Sequence, residues 1–335
     1  MINPNSKLVA DIFDPSKLKM AATREGYGSG LVEAGQKDPR VVVLCADLTE
    51  STQSHFFAEK FPERFIEIGV AEQNLALVAS GLANYGKIPF IASYATFSPG
   101  RNNEQIRTNI CINNVPVKIA GSHAGISVGP DGATHQALED IALMRVLPRM
   151  VVVVPCDAIE AHKATLAIAA NGQPSYIRLA RSKSPVFTTP ETPFEIGRAE
   201  VLRDPALAGQ APVVAIIGCG GLVHNALLAA EDLSKEGIEC IVINSHTVKP
   251  LDEATIIQAA QQTGAVVTVE EHQIAGGLGS AVAEALSRNC PVPQEYIGVH
   301  DRFGESGEPE ELIEHFGMGV GSIKEAVKKV LTRKK

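Results

Sequence analysis

The chain has 335 residues, enough for two domains of ordinary size, and its 45% hydrophobic and 20% charged content is that of a globular protein. A net charge of −8 and a pI near 5.6 exclude nucleic acid or an anionic membrane as the main partner, so substrate anions must be met by local positive groups. The six cysteines lie far apart with no CxxC pair, and read as buried free thiols of a reducing compartment. No charged-then-apolar leader opens the chain and no apolar run reaches membrane-spanning length, so the expected location is cytoplasmic.

Residues 1–17 are polar and broken by Pro4 and Pro15, the pattern of an arm lying over the surface or a partner. From Met20 the segment AATREGYGSGLVEAGQ reads as a helix in spite of its glycines, with Arg24 early in it. Val41 to Asp47 is a continuous apolar run, as in a buried parallel strand, and ADLTES follows its carboxyl end. Phe65 to Ile68 is a short strand; the chain turns at Gly69 and continues with Leu75, Val78 and Leu82 at helical spacing. Glu72 therefore stands where a strand hands over to a helix, the edge at which open α/β sheets bind ligands and where the helix dipole favours a carboxylate.

Ile88 to Phe97 and Pro116 to His123 are two further buried strands; Pro99 and Gly100 after the first precede a helix. After the second, a loop carrying Gly125, Gly129 and Gly132 precedes a helix from about Gln136. The strand MVVVVP, the helix DAIEAHKATLAIAAN and the strand SYIRLAR complete a first unit. Thr188 to Pro193, with two prolines and three threonines, reads as a linker. A second unit has strands at Val213 to Cys219, Glu239 to Asn244, Ala265 to Glu271 and Gln294 to Val299, and ends in a basic helix, Ser322 to Arg333. Gly218 to Gly221 suggests a dinucleotide fingerprint, but Val223 stands at its third glycine, so a tight strand-to-helix turn is the better reading. The expected fold class is α/β, two doubly wound domains with mainly parallel sheets, divided as arm 1–17, first domain 18–187, linker 188–196 and second domain 197–335.

Several strings, in order, resemble transketolase: IGVAEQN, GSHAGISVGPDGATHQALEDIA, TVKPLD and EEHQIAGGLG. The resemblance covers roughly the whole chain, but only the second half of a full-length transketolase, its pyrimidine-binding domain followed by its carboxyl-terminal domain. It implies thiamine diphosphate as cofactor, with Glu72 on a ring nitrogen of the aminopyrimidine, where a carboxylate favours the imino tautomer that takes the proton from the thiazolium carbon. By the same resemblance Asp47 lies close to the cofactor and Phe97 stacks on the pyrimidine. Ser51 lies near the substrate phosphate, Asp131 hydrogen-bonds a sugar hydroxyl, and His135 lines the active-site channel as a catalytic residue beside Glu72. Arg24, His123 and Arg181 fall on the remaining phosphate-binding positions. Taken singly, an Arg after a strand is a surface charge, a Phe in an apolar run is core and a His beside glycines caps a turn. Their joint placement on loops at one sheet edge favours the site, because two guanidiniums, an imidazole and a hydroxyl make a phosphate cradle. His55, His162, His224 and His315 lack such company and read as ordinary residues.

The chain departs from the family after Phe97, where many members have a second aromatic and this one has the polar SPGRNNEQ. It also has no GDG motif, which in transketolases binds the metal of the diphosphate on an amino-terminal domain. The resemblance therefore implies a carboxyl-terminal subunit of a split transketolase, with Mg2+ or Ca2+ held mainly by a separate amino-terminal subunit and self-association to an α2β2-type assembly. The expected activity is transfer of a two-carbon ketol unit between sugar phosphates. The competing readings are the β subunit of a 2-oxo acid dehydrogenase's decarboxylating component, a deoxyxylulose-phosphate synthase-like or unusual-sugar transketolase subunit, and a non-catalytic scaffold that keeps the fold.

Overall fold

Short runs of Val, Ile and Ala with no polar alternation fit strands covered on both faces, and the computed structural model, which describes residues 1–334, places them at the centre of two sheets. The first half runs β1 (Lys19–Ala21), α1 (Thr23–Lys37), β2 (Val41–Cys45), α2 (His55–Lys60), β3 (Phe65–Glu67), α3 (Glu72–Asn84), β4 (Ile88–Tyr94), α4 (Asn103–Gln105), β5 (Lys118–Ser122), α5 (Asp140–Arg145), β6 (Val151–Val153), α6 (Ala158–Ala170), β7 (Ser175–Arg178) and β8 (Ser184–Val186). The second half runs β9 (Glu200–Arg203), β10 (Val214–Gly218), α7 (Leu222–Lys235), β11 (Cys240–Asn244), β12 (Thr247–Lys249), α8 (Glu253–Thr263), β13 (Val266–Gln273), α9 (Leu278–Asn289), β14 (Gln294–Val299), α10 (Pro309–His315) and α11 (Val320–Thr332). One sheet has the order β12-β6-β7-β5-β4-β2-β3, the other β14-β13-β10-β11-β9, and β1 pairs with β8 alone. All neighbours in the two large sheets are parallel except β12 against β6 and β9 against β11. The mainly parallel, doubly wound α/β class is the one expected.

The helix expected from Met20 starts at Thr23, because Met20 and Ala21 belong to β1, and it keeps its glycines because they face a neighbour. A Cβ on Gly26 would lie 1.9 Å from the Ala158 carbonyl oxygen, and one on Gly30 would lie 2.8 Å from Thr165 Cβ, so α1 can approach α6 only without side chains there. Other boundaries differ from expectation too. The strand read as running to Phe97 ends at Tyr94, where the chain breaks into turns that carry Phe97, and the helix read from about Gln136 starts at Asp140. The arm lies along the chain's own second half and the end of its first: the Asn3 amide donates to Leu202 O at 2.9 Å, the Val9 amide to Phe187 O at 3.0 Å, and Ile12 is buried in the apolar cluster of the second sheet and its helices.

The two sheets share one apolar core, with Val152 and Val154 packed in the same cluster as Ile217 and Ile243. Polar groups join them too. Arg178, buried at the end of β7, donates from Nε to Asp140 Oδ2 at 2.8 Å and from Nη2 to Glu271 O at 2.8 Å and Ala137 O at 3.2 Å, while Tyr176 Oη donates to the same Asp140 oxygen at 2.6 Å. One guanidinium thus ties the first sheet, the glycine-rich loop and the second sheet together.

Burial raises the Asp140 carboxyl, but Arg178, His272 and the Tyr176 hydroxyl together outweigh burial and hold it below its ordinary value. A depressed folded value means that the stability it contributes is complete above about pH 4 and is lost as pH falls through the folded value. Asp140→Ala strands a buried guanidinium and should cost about 3–5 kcal/mol at pH 7 in urea unfolding. The gap from wild type should narrow towards pH 3, and a gap independent of pH would count against this assignment.

Candidate active site

The parallel strands of the first sheet place the expected residues on one edge. Asp47 follows β2, Glu72 follows β3, Phe97 follows β4, His123 follows β5 and Arg181 follows β7, all beyond carboxyl ends. The order β4-β2-β3 means that the chain leaves β2 to one side for β3 and returns on the other side for β4, a switch point of the kind that opens a ligand crevice. Asp47 and His123 have φ of 56° and 52°, left-handed values that non-glycine residues adopt at a cost of about 1–3 kcal/mol and that cluster at functional sites.

Glu72 opens α3 and is only 2% exposed. Its carboxylate Oε2 accepts from Arg101 Nη1 at 2.7 Å, and its carbonyl accepts from Asn102 Nδ2 at 2.9 Å. Phe97 meets the Arg101 guanidinium at 4.7 Å from its ring centroid, lies nearly parallel to Tyr94 at 5.9 Å and is edge-on to His135 at 5.5 Å. Tyr94 in turn stacks on His123 at 3.9 Å. Glu72, Arg101, Phe97, Tyr94, His123 and His135 therefore form one continuous wall.

Beside it lies a positive corner. Arg24 donates from Nη1 to the Ser51 carbonyl at 2.7 Å, while its buried Nε has no partner among the described residues. Arg181 is held by Val128 O at 2.7 Å. Burial lowers the Arg24 pKa first and the neighbouring Arg181 lowers it further, against the pull of Glu25. His123 is pushed down to about 3 by burial and then by Arg24, Arg181 and His135, so its ring is neutral at physiological pH, with Ser122 Oγ at 2.9 Å from Nδ1. Two guanidiniums beside a neutral imidazole, with one buried donor unpartnered, have the chemistry of an anion site.

Other expected residues stand apart or take part differently. Ser51 meets Arg24 through its carbonyl rather than its hydroxyl. Asp131 is exposed at the end of the turn Ile126–Asp131, and no described contact joins it to the wall. Asp47 is exposed too, its amide donating to Glu67 Oε1 at 2.7 Å. The loop bearing Asp131 and His135 is fixed by the second half: the Ser127 amide donates to Glu271 Oε1 at 2.5 Å and Gln136 Nε2 to Glu305 O at 2.9 Å. His224 is bonded to Ile12 O and His162 to Glu33, away from the wall. Among the described residues no group of His, Cys, Asp or Glu is arranged to hold a metal ion.

Three participants escaped sequence reasoning. Tyr94 precedes Phe97 by three residues and Arg101 follows it by four, so the spacing of a one-turn fold-back was the available signal. Together they flank the ring where a second aromatic was expected further along. Glu67, the last residue of β3, gathers the Asp47 amide, the Gly69 amide at 2.8 Å and Thr49 Oγ1 at 3.1 Å. No pattern marks it.

Family comparison decides what this edge belongs to. Residues 19–186 match the family model of the transketolase pyrimidine binding domain, and residues 207–323 that of the transketolase C-terminal domain. The chain belongs to the transketolase family. It is 41% identical over 318 residues to the 6-deoxy-6-sulfo-D-fructose transketolase subunit SqwH of Clostridium sp. (strain MSTE9), covering 95% of this chain and 97% of that one. It is 43% identical to the putative transketolase C-terminal section of Methanocaldococcus jannaschii, over 90% of this chain and 93% of the relative. A solved split gene transketolase, described as an inactive beta4 tetramer, superposes with a TM-score of 0.86 at 47% identity, covering 94% of this chain and 99% of that chain. Membership at full subunit length makes this chain a split transketolase subunit, and thiamine diphosphate dependence comes with the family.

In this transketolase subunit Glu67 joins the loop after β2 to the start of α3. Glu67→Ala should weaken both by about 1 kcal/mol, since the group is exposed. The Gly69 and Asp47 amides should then exchange hydrogen several-fold faster, and unchanged exchange would show that Glu67 holds neither loop.

Proposed function

We propose that this subunit carries the pyrimidine and substrate-phosphate half of a ketol-transferring site, and that a separate amino-terminal subunit carries the diphosphate and its metal ion, Mg2+ or Ca2+. The single observation that carries the substrate reading is the positive corner, Arg24 beside Arg181 over neutral His123, within a chain of net charge −8.

The residues fit the cofactor that the family implies. A buried carboxylate whose only described side-chain partner is a mobile-length arginine, set beside an aromatic face, suits a planar, proton-sharing heterocycle. Thiamine diphosphate, when bound, supplies a carbanion at its thiazolium carbon. With that ring bound, Glu72 would hold a proton at the pyrimidine nitrogen and so set the ring's protonation state. Phe97 orients the ring by stacking. His135, edge-on to Phe97 and bonded through Nδ1 to Thr134 Oγ1 at 2.9 Å, keeps Nε2 for moving protons at substrate oxygens. Asp47 borders the cofactor, and Asp131 receives a sugar hydroxyl once the partner closes the channel over it. Arg24, Ser51, His123 and Arg181 hold the terminal phosphate of the sugar.

What supports a partner is the exposed apolar flank of α3. Val70 is 72% exposed, Leu77 is 44% and Tyr85 is 91%, and Ile112 on the adjoining segment is 58%. Val70 and Tyr85 bracket α3, Leu77 lies on it, and together they suit a face covered by other subunits in an α2β2-type assembly. A sulfonate in place of the phosphate is a second reading, favoured by the relative named for 6-deoxy-6-sulfo-D-fructose.

Two measurements test the assignment. The purified chain alone should show no ketol transfer with thiamine diphosphate and magnesium, and turnover should appear on adding the amino-terminal subunit; Glu72→Gln in that complex should slow the chemical step by orders of magnitude with substrate binding less affected. Arg181→Ala should weaken a phosphorylated ketose donor roughly ten- to a hundred-fold and leave hydroxypyruvate nearly unchanged, each paired with an unphosphorylated acceptor. Equal losses for both donors would remove Arg181 from the phosphate site. Running the sulfonated ketose in parallel separates the two anions.

A further inference from the structure

We propose that Arg101 is a built-in stand-in for the cofactor's aminopyrimidine, filling the slot between Phe97 and Glu72 in the cofactor-free subunit and leaving it when the ring arrives. The inference rests on the reading that Glu72 and Phe97 form the pyrimidine wall.

The geometry is that of a planar cation bound as the ring would be. The guanidinium carbon lies 4.7 Å from the Phe97 ring centroid, in the range of a cation–π contact, and Nη1 donates to Glu72 Oε2 at 2.7 Å. A protonated aminopyrimidine makes the same two interactions, a flat face on an aromatic and an N–H into a carboxylate. Both come from one short fold-back: the chain turns after Tyr94, the Arg101 amide donates to Phe97 O at 2.9 Å, and the side chain four residues on returns over the ring. The two partners are unequally buried. Glu72 is 2% exposed whereas the Arg101 side chain is 49% exposed, so the carboxylate is a fixed fitting and the guanidinium is free to swing outward.

The device answers a physical problem. A carboxylate this buried is costly when unpaired, yet it must be available to the cofactor. Arg101 satisfies it in the meantime. The consequence is competition: the apparent affinity for the pyrimidine is reduced by the fraction of molecules in which Arg101 occupies the slot. The polar stretch after Phe97 is then part of how the subunit waits for its cofactor.

The test uses the full chain and a probe that addresses only this half of the pocket, 4-amino-5-hydroxymethyl-2-methylpyrimidine, titrated by ligand-detected NMR. Arg101→Ala should bind it roughly tenfold more tightly than wild type. Arg101→Lys keeps the charge without the plane and should fall between them, which also guards against a folding defect in the alanine variant. Adding Glu72→Gln or Phe97→Ala to Arg101→Ala should abolish the gain. Binding by Arg101→Ala that equals wild type or is weaker, including no binding by either, overturns the proposal. If that happens while Glu72→Gln and Phe97→Ala still weaken thiamine diphosphate binding in the assembled complex, the pyrimidine wall stands and only the stand-in falls. If neither variant weakens it, the wall itself is misassigned.

Discussion

Arg178 is the point on which the two halves of the molecule depend. Its guanidinium lies buried between the Asp140 carboxylate and the carbonyls of Ala137 and Glu271, and those three partners come from a helix, a loop and a strand of the second sheet. A buried ion pair of this kind adds little net stability over apolar packing, but it tolerates no misalignment, because a lost partner leaves a bare charge in the interior. The glycine-rich loop that carries His135 is positioned by that requirement. The second half of the chain supplies the contacts that hold this loop, Glu271 from β13 and Glu305 from the loop between β14 and α10.

The site itself combines two electrostatic characters within one edge. Around Glu72 the single buried negative charge is matched by one cation. Around Arg24 and Arg181 two positive charges are left beside each other, with an imidazole driven neutral by burial and by both of them. The first suits a ring that carries its own proton, the second a doubly charged group that arrives from solution. A chain with net charge −8 can attract such a group only where positive charges are concentrated locally.

Much of this was legible in the sequence. Continuous apolar runs located the parallel strands, and the strand-to-helix position of Glu72 was readable from Gly69 and the spacing of Leu75, Val78 and Leu82. The family strings pointed to Arg24, His123 and Arg181, whose charges the structure brings near one another. What stayed hidden depended on three dimensions. Thr247–Lys249 is too short to show alternation, and nothing in TVK says that it leaves its own half to pair with β6. Arg101 lies in a polar stretch ahead of an expected helix, and nothing in residue type shows that the chain folds back over Phe97. Glu67 serves through hydrogen bonds to amides, which leave no trace in residue type.

The placement of β12 carries a consequence for how the polypeptide is made. The first sheet takes its last strand, Thr247–Lys249, from beyond β9, β10 and β11 of the second, so its β6 edge has no partner until residue 249 has been synthesised. During vectorial emergence from the ribosome the amino-terminal half therefore presents an open strand edge, the surface most prone to pairing with the wrong chain. The two halves are sequential in the gene but interdependent in maturation. A break in the coding sequence between the two sheets would separate an edge from the strand that seals it.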